Sequence, residues 1–215
     1  MKVKHLVGAF LCVLGCYACS SPKTEVQSPD GHIKMTLTVD ENGKPFYNVS
    51  VDDFLLIENS AMGFTAANGI ILAEGFQVKN TTFSSEDETW TQPWGENKKN
   101  RNHYNEMAVS LTNEYQVQLT LRFRVFDDGI GFRYEYTVPT VDSLLITDEL
   151  TTFHFHRDGT SWSIPASAET YELLYQQQPI SEVETANTPF TFKTADGVYA
   201  VSYTHLRAHE TGRNL

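Results

Sequence analysis

At 215 residues, with 40% hydrophobic and 12% aromatic side chains, the chain has a globular composition with room for one sizeable core. Sixteen basic against 27 acidic residues give a formal charge of -11, a field that repels a polyanion and removes nucleic acid from the possible partners. The cysteines, Cys12, Cys16 and Cys19, all lie in the first nineteen residues, which excludes disulfides, a thiol nucleophile and cysteine-ligated zinc from the remainder.

Residues 1–19 read as a targeting segment. Lys2 and Lys4 supply a positive start, Leu6 to Leu14 is an apolar run too short for a permanent bilayer span, and Gly15-Cys16 or Ala18-Cys19 places a small residue before a cysteine. The pattern resembles a bacterial lipobox, in which Cys16 or Cys19 would be acylated and the protein held at the membrane by lipid alone; an ordinary signal peptide is the alternative. Loss of the leader would remove Lys2 and Lys4 and take the charge from -11 to -13. Residues 20–27 then read as a polar tether.

Beyond the tether, Ile33, Met35, Leu37 and Val39 alternate with polar residues, which puts apolar side chains on one face of a strand. Asn42-Gly43 predicts a turn, and Tyr47, Val49 and Val51 repeat the period of two. The segment from Glu86 to Asn105 breaks the pattern. It is polar, contains Trp90, Pro93, Trp94 and Gly95, and is expected to be a long ordered loop. Tyr115 to Val125 forms the longest alternating run; Asp127-Asp128-Gly129 predicts a turn, and Phe132 to Val138 the partner strand. Phe153 and Phe155 alternate with His154 and His156, and Trp162 with Ile164 begins another strand. With no sustained helical period, the chain is expected to be all-β, an antiparallel sandwich over residues 28–201.

Phosphate-binding, dinucleotide and Gly-x-Ser-x-Gly signatures are absent from the sequence. His154 and His156 share a strand face and could bind a metal, or could be a plain solvated pair. Trp90, Trp94, Arg101, His103 and Asn105 offer aromatic faces and planar polar groups suited to sugar rings. The alternative is that the tryptophans pack the loop and Arg101 pairs with a nearby acid.

Three stretches together carry a resemblance: Ser28-Pro29-Asp30-Gly31, the run from Glu88-Thr89-Trp90 through Pro93-Trp94-Gly95-Glu96 to Arg101–Glu106, and Arg122–Tyr134. Over roughly residues 26 to 200 the chain is similar to the amino-terminal domain of glycoside hydrolase family 97. The resemblance implies a galactose-mutarotase-like super-sandwich, incomplete at its carboxyl-terminal end, which in the family packs against a (β/α)8 barrel. It also implies a calcium-dependent, exo-acting enzyme on α-linked glucosides or galactosides. The carboxyl groups that flank the scissile bond are expected in that barrel, so no catalytic residue is expected here and the fragment alone is expected to be inactive. In the family a sandwich glutamate, seven residues beyond a proline, reaches the calcium; counting from Pro165 arrives at Glu172. Calcium takes several hard oxygen ligands, so Glu172 would need carboxylates from elsewhere. Residues 202–215 show no strand period and are expected to be a non-native tail. A different class of function is a stand-alone, non-catalytic carbohydrate-binding lipoprotein that uses the tryptophan segment.

Overall fold

The computed structural model describes residues 24–203, apart from 68, 140, 142 and 168. Cys16, Cys19 and the segment 204–215 lie outside the described residues.

The described chain is built almost wholly of antiparallel strands. The first sheet is β1 (Glu25–Gln27), β2 (Ile33–Val39), β3 (Pro45–Val51) and β4 (Phe54–Ala61), in that order. In β2, Ile33, Met35 and Leu37 are buried, as the alternation requires, and they lie opposite Val51, Val49 and Tyr47 of β3. The turn between them is the expected one. Asp40 accepts the amide N–H groups of Asn42 and Lys44, and Gly43 sits at φ +74°, where a Cβ would come within 2.3 Å of the Phe76 nitrogen. The β3–β4 connection is a two-residue turn in which Asp52 and Asp53 both take positive φ, a backbone twist matched to that of a hairpin.

β5 (Phe64–Ala66) and β6 (Ile71–Leu72) pair with β11 (Ile146–Glu149) in a small second sheet. The opposing layer is β7 (Gln77–Thr91), β8 (Lys99–Thr112), β9 (Gln118–Phe126) and β10 (Gly129–Thr137), ordered β10-β9-β8-β7. Met107, Val109, Leu111, Leu119, Leu121, Phe123 and Val125 point inward from this layer and form one buried cluster with Met35, Leu37, Tyr47 and Val49 of the first sheet. Two antiparallel sheets enclosing one apolar core make the sandwich. A further sheet, β13 (Gln176–Pro179), β12 (Gly159–Ser163), β14 (Phe190–Thr194) and β15 (Tyr199–Ser202), is ordered β13-β12-β14-β15, with one 3-10 turn at Ile180–Glu182. It joins the core through Phe155, whose ring lies 4.3 Å from that of Phe192 and whose backbone bridges to Ile57.

Three expectations are corrected. Glu86–Asn105 is not a loop: it forms most of a long hairpin, with continuous pairing from Asn80–Ser110 out to Thr91–Lys99 and a tip of only 92–98. Tyr115 is not in a strand but in an exposed turn before β9, because the Asn113 side chain accepts the N–H groups of both Tyr115 and Val117 and Gln116 takes φ +59°. Phe153 and Phe155 form no regular strand; Phe155 makes an isolated bridge. Ser202, placed in the tail from the sequence, closes β15 opposite Phe190.

Candidate functional site

The β7–β8 hairpin extends beyond the core, and its two faces differ. Arg101, His103 and Asn105 lie on one face, opposite Thr89, Asp87 and Ser85; Trp90 lies on the other, opposite Asn100, and Trp94 is at the tip. The five candidate sugar-binding residues therefore do not converge. Arg101 makes a two-pronged pair with Asp87, Nε to Oδ1 at 2.7 Å and Nη2 to Oδ2 at 2.8 Å, which holds the Asp87 carboxyl below its usual range. Asn105 donates to the Gln27 carbonyl at 2.9 Å. Trp94 is 84% exposed, and the depression beside it at the tip is open rather than enclosed.

His103 belongs to a tie between turns. Its Nδ1 lies 3.3 Å from Asp127 Oδ2, and Asp127 Oδ1 accepts the Asp30 N–H at 3.0 Å. Asp30 in turn accepts the Ser28 hydroxyl at 2.6 Å and the His32 N–H at 3.0 Å, and His32 pairs with Asp52. The motif Ser28-Pro29-Asp30-Gly31 thus locks the β1–β2 turn against the β9–β10 turn, a structural duty. Its hydrogen bonds from Ser28 and His32 hold the Asp30 carboxyl low, and Asp52 raises the His32 imidazole above its ordinary value.

A second group was not singled out from the sequence. On the outward face of the β10-β9-β8-β7 layer, Glu106 is 7% exposed and accepts Arg122 Nη1 at 2.5 Å and Arg124 Nε at 2.7 Å. Arg122 also donates to both oxygens of Glu135, at 2.9 and 3.2 Å, and Arg133 Nε reaches Glu135 at 2.8 Å. Burial alone would raise the Glu106 carboxyl, but the hydrogen bonds from Arg124 and Arg122 and their charges outweigh it and hold the group below the ordinary carboxylate range. The Arg124 guanidinium also lies 4.4 Å from the centre of the Tyr104 ring. The signal was present in the sequence: alternation in β9 and β10 places Arg122, Arg124, Arg133 and Glu135 on the face opposite the core.

Glu172 lies on an irregular segment between β12 and β13. It is exposed, and its backbone N–H donates to the Thr170 hydroxyl at 3.0 Å; Glu169 is exposed on the same segment. Around it, Tyr171, Leu173, Leu174 and Tyr175 are exposed too, Leu174 to 89%. Such a run of large apolar side chains in water marks a surface suited to contact with another protein part. Among the described residues no group of three or more His, Cys, Asp or Glu side chains is arranged to hold a metal ion. A calcium ion takes six to eight oxygens, roughly, so Glu172 fits as one ligand and not as a site. His156 Nδ1 pairs with Glu58 at 2.6 Å, and the His154 backbone N–H donates to the Ser60 hydroxyl at 2.7 Å.

The antiparallel sandwich, with the Ser28–Gly31 and Arg122–Tyr134 stretches placed on its sheets and turns, is the fold that the family resemblance implies. The glycosyl-hydrolase 97 N-terminal family matches residues 26–205, and the chain belongs to that family. It is 28% identical over 133 residues to a retaining alpha-galactosidase of Bacteroides thetaiotaomicron, which covers 61% of this chain and 19% of that protein. A family 97 enzyme from Pseudoalteromonas sp. strain K8, solved with panose in a variant form and also with acarbose, superposes with a TM-score of 0.74 at 37% identity, covering 81% of this chain and 27% of the enzyme. A beta-arabinopyranosidase shares the fold, with a TM-score of 0.74 at 23% identity. The chain thus spans between about a fifth and a third of the length of these relatives.

Proposed function

We propose that this chain is the sandwich portion of a longer, calcium-dependent, exo-acting glycoside hydrolase that removes terminal α-glucosyl or α-galactosyl units from α-linked oligosaccharides. The observation that carries the reading is the family match over residues 26–205. The exposed apolar segment around Glu172 supports it, because Tyr171, Leu173, Leu174 and Tyr175 stand in solvent unless a further domain covers them. In this reading the acid and the base or nucleophile reside in a (β/α)8 barrel outside residues 1–215, and the sandwich contributes scaffold and the Glu172 carboxylate. Calcium, when bound, supplies a fixed positive charge at the junction. Glu172 brings one of its oxygen ligands and thereby ties the segment after Pro165 to the barrel. Export and anchoring through Cys16 or Cys19 complete the proposal and place the enzyme in the periplasm or at the cell surface. Mass spectrometry of the membrane fraction should find an acylated amino-terminal peptide, and an unmodified mature form would contradict that part.

The test of the main reading is to extend the gene's reading frame beyond residue 203 and assay its product. A downstream barrel and calcium-dependent release of a terminal sugar are expected. A native stop codon in that region would refute the reading and favour the carbohydrate-binding alternative, for which the exposed Trp90 and Trp94 are the supporting observation.

A further inference from the structure

A depression of about 620 Å³ lies at the end of the sandwich away from the β9–β10 turn, where the β2–β3 turn, the entry to β7 and the β8–β9 turn meet. Its frame is fixed by hydrogen bonds between those turns. The Gly75 N–H donates to the Asn42 carbonyl at 2.8 Å and the Phe76 N–H to the Gly43 carbonyl at 2.9 Å. On the opposite wall the buried Asn113 side chain accepts the N–H groups of Tyr115 and Val117, at 3.1 and 3.0 Å, and donates to the Ile71 carbonyl at 3.3 Å. A ligand entering here meets walls already in place, so binding loses little to ordering of the chain.

On that frame stands Tyr115. Its ring is exposed and fills no part of the core, and the turn that presents it holds Gln116 at φ +59°, a conformation side-chain-bearing residues seldom adopt. The Glu114 carboxylate beside it hydrogen-bonds the Tyr115 hydroxyl and raises its pKa, which orients the ring. Facing it across the depression are the exposed side chains of Asn42, Glu74, Gln77 and Lys79. A flat aromatic face suits the apolar C–H side of a sugar ring, and planar amides and carboxylates both donate to and accept from its hydroxyls. Charge narrows the class further. One lysine against two glutamates gives an anion no attraction, and among the described residues no group of three or more His, Cys, Asp or Glu side chains is arranged for a metal cation. The volume falls within the range of about 300–1,000 Å³ typical of ligand pockets, and the open side lets a chain of sugars continue beyond it.

We propose that this depression is a non-catalytic binding site for a short neutral oligosaccharide, with one sugar ring stacked on Tyr115 and its hydroxyls held by Asn42, Glu74 and Gln77. None of its residues belongs to the tryptophan hairpin tip or to the segment around Glu172, so the site stands whether or not the chain continues into a catalytic domain.

The test is an NMR titration of the 215-residue chain with panose. Saturable shifts are expected in the amides of residues 42–43, 74–79 and 112–116, with the indole signals of Trp90 and Trp94 unmoved. Tyr115→Ala should weaken binding at least ten-fold, the scale of losing an aromatic anchor, Tyr115→Phe should retain most of it, and Gln77→Ala should weaken it several-fold. Both side chains are exposed, so all three variants should keep the wild-type thermal midpoint. Absence of saturable shifts, shifts centred on Trp90 and Trp94, or wild-type affinity in Tyr115→Ala would overturn the site. Equal or tighter binding of a trisaccharide of galacturonic acid would overturn it as well, because the charge argument would fail. Each of those results leaves the glycosidase reading untouched, just as a reading frame with no downstream domain would leave this site untouched.

Discussion

Replacing Glu106 with Gln keeps the side-chain shape while removing the charge that two arginines share, and it isolates the outward ion network. Losing one partner of a fully buried pair costs about 3–5 kcal/mol, whereas an exposed pair contributes about 0–1 kcal/mol. Here the Glu106 side chain is 9% exposed, but Arg122 and Arg124 are 27% and 42% exposed and can recover some hydration. The expected loss is therefore intermediate, about 1–3 kcal/mol. Urea unfolding of the 215-residue chain, followed by circular dichroism, should show a lower midpoint with an unchanged slope. The pH dependence supplies the sharper check. Because the folded-state pKa of Glu106 is lowered, its contribution is present above the unfolded carboxylate pKa of about 4.3 and is lost as pH falls through the folded value. The gap between wild type and variant should thus be full at pH 7 and shrink as the acid range is entered. Equal midpoints at pH 7, or a gap that persists undiminished in acid, would refute this account of the network.

Gly159→Ala should break the β12–β14 pairing, since the added methyl falls on the Lys193 carbonyl; a thermal midpoint within a degree of wild type would contradict the packing. By NMR, His32 should titrate above its ordinary value because Asp52 hydrogen-bonds it and Asp30 and Asp127 add negative charge; Asp52→Asn should bring the value down, and no change would exclude the pair as the cause. The 215-residue chain alone should release no product from aryl α-glucosides or α-galactosides with or without calcium; turnover above a heat-killed control would mean that catalytic groups lie within it.

The core was legible because each buried strand has one wet face. Met35 and Leu37 in β2, and Leu119 through Val125 in β9, alternate with polar residues since only one side meets the opposing sheet. The same logic explains why the sequence of the outer hairpin looks like that of a loop. From Ser84 to Thr91 both faces of β7 are exposed, so no apolar period exists, and the pairing is held by polar cross-strand partners such as Arg101 with Asp87 and Asn102 with Glu88. Tyr115 continues the period of two that runs from Val117 to Val125, although Asn113 two residues earlier carries the turn chemistry that keeps it out of the strand. Of the proposed site, Glu172 was reached only through family resemblance: an exposed carboxylate on an irregular segment has no periodicity to reveal it, and its proposed partners lie in another part of the polypeptide.

The central claim is that the sandwich serves a calcium-dependent glycosidase through Glu172, and the most direct measurement is a calcium titration of activity in the longer protein carrying Glu172→Gln. Removing one charged ligand should weaken calcium dependence by about ten-fold or more, with activity partly restored by excess calcium, while Glu169→Gln on the same segment changes little. An unaltered calcium titration and rate in Glu172→Gln, with damage in Glu169→Gln instead, would move the ligand to Glu169; no effect from either would contradict the claim that this segment reaches the active site.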